Sequence, residues 1–184
     1  MAEPILRRPM PDGDLPERLI DAAATELRES GYQGLTVRLV ARRAGVSPAT
    51  AYKVFSSKEH LVASILLRHV KTLPDPPEGT TGQVGERLAA LLQSFADAIG
   101  AEPELRGALQ ATILGNDPDS TRVRQTMVED FMQRFAVVVG DELSEEQAMT
   151  VLLAFAGTMI MAGAGMMPFD QIGEQVRSIV RTVQ

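Results

Sequence analysis

The chain has 184 residues, 45% of them hydrophobic, with 18 Lys+Arg against 24 Asp+Glu and a formal net charge of −6. That length buries a sizeable core unaided, and the absence of cysteine excludes a disulfide framework, a thiolate zinc site and a cysteine nucleophile. The charge is uneven: residues 31–58 carry Arg38, Arg42, Arg43, Lys53 and Lys58 and no acid, whereas residues 59–184 carry 9 Lys+Arg against 17 Asp+Glu. A compact basic segment in an acidic chain suits a localised polyanion contact, although a solvated charged face gives the same tally.

Residues 1–14, MAEPILRRPMPDGD, hold three prolines and no apolar run, so they are expected to form a disordered arm and not a secretory signal. From Leu15 the apolar residues Leu19, Ala22, Ala23 and Leu27 recur at helical spacing, and Gly31 is the expected stop. Thr36 is a good N-cap for a second helix whose apolar face is Val37, Val40, Ala41 and Ala44, closed by Gly45. Ser47-Pro48 starts a third helix reaching about Phe55, with proline where its missing N–H costs nothing. Ser56-Ser57-Lys58-Glu59 caps a fourth, running through Leu61, Ile65, Leu66 and Val70 to about Leu73.

Pro74, Pro76, Pro77, Gly79 and Gly82 mark a break. Beyond it lie helical stripes at Val84–Ile99, at Leu105, Leu109 and Ile113, at Val123–Val138, and at Phe169–Val183 after Pro168. No strand alternation and no internal repeat is evident, so the class is all-α, with about nine helices. One stretch differs: Ala148 to Met167 is twenty residues without a charge. That length spans a bilayer, but acidic residues flank it, no Lys or Arg anchors it, and it is rich in Ala, Gly and Met. A helix apolar all round is buried on all sides, so a place between its own domain and a partner subunit is the better reading, and no membrane is expected.

The segment Thr36–Phe55 meets the demands of a helix-turn-helix. Ala41 is small where two helices cross, Gly45 makes the turn, and Val46, Ala51 and Phe55 can face the core. That leaves Pro48, Ala49, Thr50, Tyr52 and Lys53 facing outward, and the helix N-terminus offers free N–H groups to a phosphate. An ordinary helical hairpin in a core satisfies the same pattern.

Residues 15–66 resemble the N-terminal domain of TetR-family transcriptional regulators, through Gly31-Tyr32, Leu35-Thr36-Val37, Val40-Ala41, Ala44-Gly45-Val46-Ser47, Tyr52, Phe55 and Ser57-Lys58-Glu59 with Leu61. The resemblance implies a helix-turn-helix domain at 15–58 and a helical domain at 59–184 that binds a small-molecule effector and forms a homodimer, here through about 144–165 and 168–183. It further implies a cytoplasmic protein on a palindromic double-stranded DNA operator, as a ligand-released repressor or, alternatively, an activator or an effector-independent regulator. Position by position, Thr36, Tyr52 and Lys58 match phosphate contacts, and Ser47, Pro48, Ala49, Thr50 and Lys53 occupy the reading edge. Two positions depart from the pattern: Ala51 replaces a larger aliphatic residue, and Val54 a histidine or aromatic. Lys53 donates either to guanine or to a phosphate; Arg42 and Arg43 are expected to support the motif, and Arg7 and Arg8 to belong to the disordered arm.

Elsewhere no enzyme is expected. His60 and His69 lie nine residues apart without a ligand cluster, and Gly163-Ala164-Gly165 follows no strand, so neither metal nor cofactor is implied. Phe95, Met127, Phe131, Phe135, Phe155 and Met159 are the candidates for an apolar pocket taking an apolar or amphipathic effector. Plain core packing produces the same stripes.

Overall fold

Local chemistry accounts for where most helices start and stop. The computed structural model describes residues 15–76, 82–100, 102–114 and 116–183; the arm at 1–14 and part of the 74–82 break lie outside them. Among the described residues there are nine α-helices and no strand: α1 (Leu15–Gly34), α2 (Val37–Ala44), α3 (Pro48–Val54), α4 (Lys58–Lys71), α5 (Val84–Gly100), α6 (Pro103–Leu114), α7 (Pro118–Val139), α8 (Glu145–Gly163) and α9 (Ile172–Val183). A 3₁₀ turn, Phe169–Gln171, leads into α9.

Gly31 interrupts α1 as expected, at φ 66°, but the chain resumes helical hydrogen bonding as far as Gly34. Thr36, Ser47, Ser57, Asp117 and Ser144 cap α2, α3, α4, α7 and α8 with their side-chain oxygens, each satisfying an otherwise orphaned N–H.

One core runs from Leu19 in α1 to Val180 in α9. Its axle is α4, where six consecutive residues from Leu61 to Leu66 are buried and neighbours crowd every side. α1 and α6 lie against it, and α7 crosses it at length. Each large apolar side chain buried in this way contributes about 1.5–3 kcal/mol, so α4 is firmly seated in both the N-terminal helices and the remainder. α5 and α9 form the closest pair, with Gly173 so near α5 that an added Cβ would lie 3.1 Å from the Ala89 carbonyl oxygen.

α8, expected between its own domain and a partner subunit, packs along one side within the protomer. Val151, Phe155, Met159 and Ala162 are buried against the protomer, with Ala148 and Leu152 partly so, while Met149, Leu153, Ile160 and Met161 stand exposed. The single protomer therefore leaves one long apolar face of α8 uncovered.

Candidate nucleic-acid interface

The two short helices are joined by a turn that hydrogen bonding defines completely. Gly45 is left-handed (φ 70°, ψ 31°), its N–H donates to the Arg42 carbonyl, and the Val46 N–H donates to the Ala41 carbonyl at 3.0 Å. This is the Schellman pattern, and it throws the chain directly into the Ser47 cap of α3. The Ser47 Oγ accepts from the Thr50 N–H at 3.1 Å and shares a hydrogen bond with the Thr50 hydroxyl at 2.8 Å. Ala51 is buried and Phe55 follows it into the core, so α3 is pinned by one side only. Ser47, Pro48, Ala49, Tyr52 and Lys53 are exposed, with Thr50 partly so. All five residues expected at the reading edge thus share one open surface at the N-terminal end and outer side of α3.

The expected phosphate contacts frame that surface. Thr36 is exposed and committed through its side chain to the Leu39 N–H at 3.2 Å. Tyr52 is 46% exposed, and its hydroxyl has no hydrogen-bond partner among the described residues. Lys58, the first residue of α4, is half-buried, with its ammonium 4.2 Å from the centre of the Tyr32 ring and 3.4 Å from the Tyr32 carbonyl oxygen. The Tyr32 hydroxyl donates to Glu59 at 2.8 Å. Burial first, then that bond and the Glu59 charge, push the phenol up to about 12, so it remains a donor. Ring and carboxylate thereby hold Lys58 at the rim of α4 without neutralising it through a direct ion pair.

The arginines divide. Arg43 pairs with the buried Glu26 at 2.7 Å and with Glu29, and Arg18 donates to the Ala44 carbonyl at 2.6 Å, together clamping the end of α2 to α1. Arg38 and Arg42, four residues apart on the outer face of α2, are exposed and make no ion pair among the described residues. Arg43 supports the motif as expected. Arg42 does not, and with Arg38 it extends the cationic surface beside α3. With Lys53 and Lys58, these give four cations not paired to a carboxylate among the described residues, around one exposed, N-capped helix.

The profile described as bacterial regulatory proteins, tetR family, matches residues 19–65. An uncharacterized HTH-type transcriptional regulator of Mycobacterium tuberculosis is 33% identical over 165 residues, covering 89% of this chain and 77% of its own length. The chain belongs to the tetR family. The HTH-type transcriptional repressor KstR of Rhodococcus jostii is 30% identical over 134 residues, 71% of this chain and 63% of that protein. The crystal structure of a TetR transcriptional regulator from Rhodococcus sp. RHA1 superposes with a TM-score of 0.71 at 19% identity, covering 95% and 97% of the two chains. The protein is accordingly an all-α, DNA-binding transcriptional regulator.

The residues expected to line an effector pocket in this tetR-family chain are largely in contact. Phe131 of α7 packs edge-on against Phe95 of α5 at 4.8 Å, stacks on Phe155 of α8 at 5.4 Å, and lies 6.0 Å from Phe135. Met159 is buried and Met127 half-buried. The largest of the described clefts, about 640 Å³, lies instead between Asp97, Arg106, Met167 and Phe169, and includes none of the six.

Residues to which the sequence reading gave no connecting role tie the N-terminal helices to the rest. Arg134 of α7 donates to the carbonyls of Leu73 and Pro74 at 3.2 and 2.8 Å, fastening the C-terminal end of α4. His69 lies 3.0 Å from Glu102, just before α6. Asp117 caps α7 through the Ser120 N–H at 2.8 Å. The backbone N–H of Ser120 is the main reason its carboxyl is held below the usual range. Beside it His60, edge-on to Phe55 at 5.0 Å, is lowered by burial. Partners up to 61 residues apart leave no mark in local sequence pattern.

Proposed function

We propose that this chain is a repressor that binds a near-palindromic operator as a homodimer in the cytoplasm and is released by an apolar or amphipathic small molecule. The observation that carries the reading is the open surface of α3: exposed, N-capped, ringed by Arg38, Arg42, Lys53 and Lys58, in a stretch without an acid inside a chain of net charge −6. Such a surface suits the major groove, where α3 offers Ser47, Pro48, Ala49, Thr50 and Lys53 to base edges. Thr36, Tyr52 and Lys58 then hold phosphates on either side and fix the register.

In this reading residues 15–58 read DNA and residues 59–184 pair the protomers through α8 and α9 and receive the effector. The phenylalanines around Phe131, with Met127 and Met159, are the receiving surface. Rings in contact separate when a ligand enters among them, and Phe131 and Phe135 flank Arg134, which holds the end of α4. Ligand therefore acts by preferring a state in which the two heads are wrongly spaced, which requires unequal affinity for the two states. The sign follows the relative named as a repressor.

The test is binding of the full chain to DNA from upstream of its own gene, across a salt series. The expected result is tight binding that weakens steeply with salt, and added fatty acids of graded chain length serve as amphipathic probes. Binding no tighter than to scrambled DNA would refute the operator reading, and affinity unchanged by every chain length would refute the apolar-effector reading. A promoter fused to a reporter should be silenced by the wild-type chain; increased output would reverse the sign.

A further inference from the structure

Arg106 is held in place by one nitrogen and left unspent at the others. It lies in the first turn of α6, and its Nε–H donates at 2.8 Å to the carbonyl of Gly100, the last residue of α5. That carbonyl is one of those a helix end leaves without a helical partner. The guanidinium also sits 5.8 Å from the centre of the Phe169 ring. A guanidinium carries five N–H donors in a planar fork, and the two terminal nitrogens of Arg106 meet no acceptor among the described residues. Arg106 lines the cleft of about 640 Å³ where α5 and α8 end, a volume within the usual range for small-molecule sites.

The same cleft carries the opposite sign. Asp97 and Asp170 line it, and neither forms an ion pair with Arg106 or with any other cation among the described residues. Asp97 accepts from the Gln93 Nε2 at 2.6 Å. That nitrogen also donates to the Phe169 carbonyl at 3.0 Å, while the Gln93 Oε1 accepts from the Gly173 N–H at 2.7 Å. One amide thus fixes a carboxylate relative to the backbone that carries the aromatic ring. Gly100 adds to this, because a Cβ there would lie 2.8 Å from the Phe169 Cβ, so α5 ends flush against Phe169. Stability does not require so much. Capping the Gly100 carbonyl takes one Arg106 nitrogen, and carboxylates that share a cleft with a guanidinium yet do not pair with it leave their mutual attraction unused.

Charge selects the occupant. A simple anion would gain Arg106 but meet Asp97 and Asp170, and a simple cation would gain the carboxylates but meet Arg106. A molecule with both signs satisfies both, and Met167, Pro168 and Phe169 offer an apolar surface to the rest of it.

We infer that this cleft binds an apolar α-amino acid, its carboxylate forked by Arg106, its ammonium held by Asp97 and Asp170, and its side chain laid on Met167 and Phe169. The site is separate from the phenylalanines around Phe131 and does not depend on their receiving a ligand. The Arg106 N–H donates to the Glu102 carbonyl at 3.3 Å, and Glu102 meets His69, so an occupant lies one helical turn from a contact with α4.

Calorimetric titration of the full-length protein with L-phenylalanine, 3-phenylpropionate and 2-phenylethylamine tests this, because the three share a ring and differ in charge. Phenylalanine should bind roughly tenfold or more tightly than either analogue, since each analogue forfeits one charge-assisted contact. Arg106→Gln should abolish the advantage over phenylethylamine, with Arg106→Lys, which keeps the charge and loses the fork, falling between. Asp97→Asn keeps an acceptor for Gln93 and should reduce the advantage over phenylpropionate. Unchanged melting temperatures show that the variants remain folded. Equal affinity of the wild type for phenylalanine and phenylpropionate would overturn the ammonium contact. Phenylalanine bound equally by the wild type and Arg106→Gln would put the ligand outside this cleft, and no binding at millimolar phenylalanine would refute the inference outright.

Discussion

Arg42 and Arg43 are neighbours in sequence and opposites in role. Arg43 is spent on Glu26 and Glu29, whereas Arg42 faces solvent with Arg38. Helical side chains lean toward the N-terminus of their own helix, so Arg42 leans toward Arg38 and the Thr36 cap, where a phosphate is expected. Arg42→Ala should therefore flatten the salt dependence of DNA binding in each protomer, by about 0.9 in the log–log slope for every phosphate that Arg42 neutralises, with base preference unchanged. Arg43→Ala should instead lower the melting temperature, because it strips a buried carboxylate of its partner. An unaltered slope for Arg42→Ala would remove it from the interface. Tyr52 offers a cleaner separation of stability from binding. Its hydroxyl is exposed and unbonded, so Tyr52→Phe should leave stability within about 0.5 kcal/mol while reducing affinity for every DNA sequence. A change confined to base preference would move Tyr52 from the backbone to the reading edge. The basic character of this segment was legible from composition. Which arginine was free was not, because the carboxylates that claim Arg43 lie 14 and 17 residues earlier on another helix.

The elements most legible in sequence are those whose ends carry their own chemistry. Thr36, Gly45, Ser47-Pro48 and Ser57 each encode a boundary within a few residues, and α2, α3 and α4 begin where those residues put them. Gly45 is the critical one, since it alone makes the left-handed step between the two short helices. Gly45→Ala should cost about 1–2 kcal/mol from the steric penalty of that conformation, and Gly45→Asn noticeably less, because asparagine visits it more readily. Denaturant midpoints measure the difference; equal losses for the two variants would mean that space, not backbone conformation, dictates the glycine. Ala51 is 1% exposed, so its short side chain sits in a closed contact. α8 was less legible in detail: its uniform apolarity pointed to cover from its own domain and from a partner subunit, but it does not say which residues face which.

At the scale of the molecule, α4 connects reading and control. Its start lies beside α7 at His60 and Asp117, its end is tied to α7 through Arg134, and its flank is tied through His69 to Glu102, just before α6. The first of these contacts predicts a pH response. His60 is held below its ordinary value of 6.5, mainly by burial and further by Arg122, with Asp117 opposing. A base whose folded value is depressed favours folding in its neutral form. Its contribution is complete above about 6.5 and declines as pH falls toward the folded value, because the unfolded chain takes up the proton first. Asp117, depressed below 3.8, acts in a separate and lower window: its contribution is present above that value and is lost as pH falls beneath it. Thermal unfolding between pH 8 and 5 should therefore show falling stability below about 6.5 in the wild type. His60→Gln should remove that decline. Asp117→Asn keeps a capping oxygen but removes the charge that opposes the lowering of His60, so the decline should start at the same pH and continue to lower pH than in the wild type. Identical pH profiles for the wild type and His60→Gln would show that the imidazole beside Phe55 is solvated and that this contact does not link protonation to the position of α4.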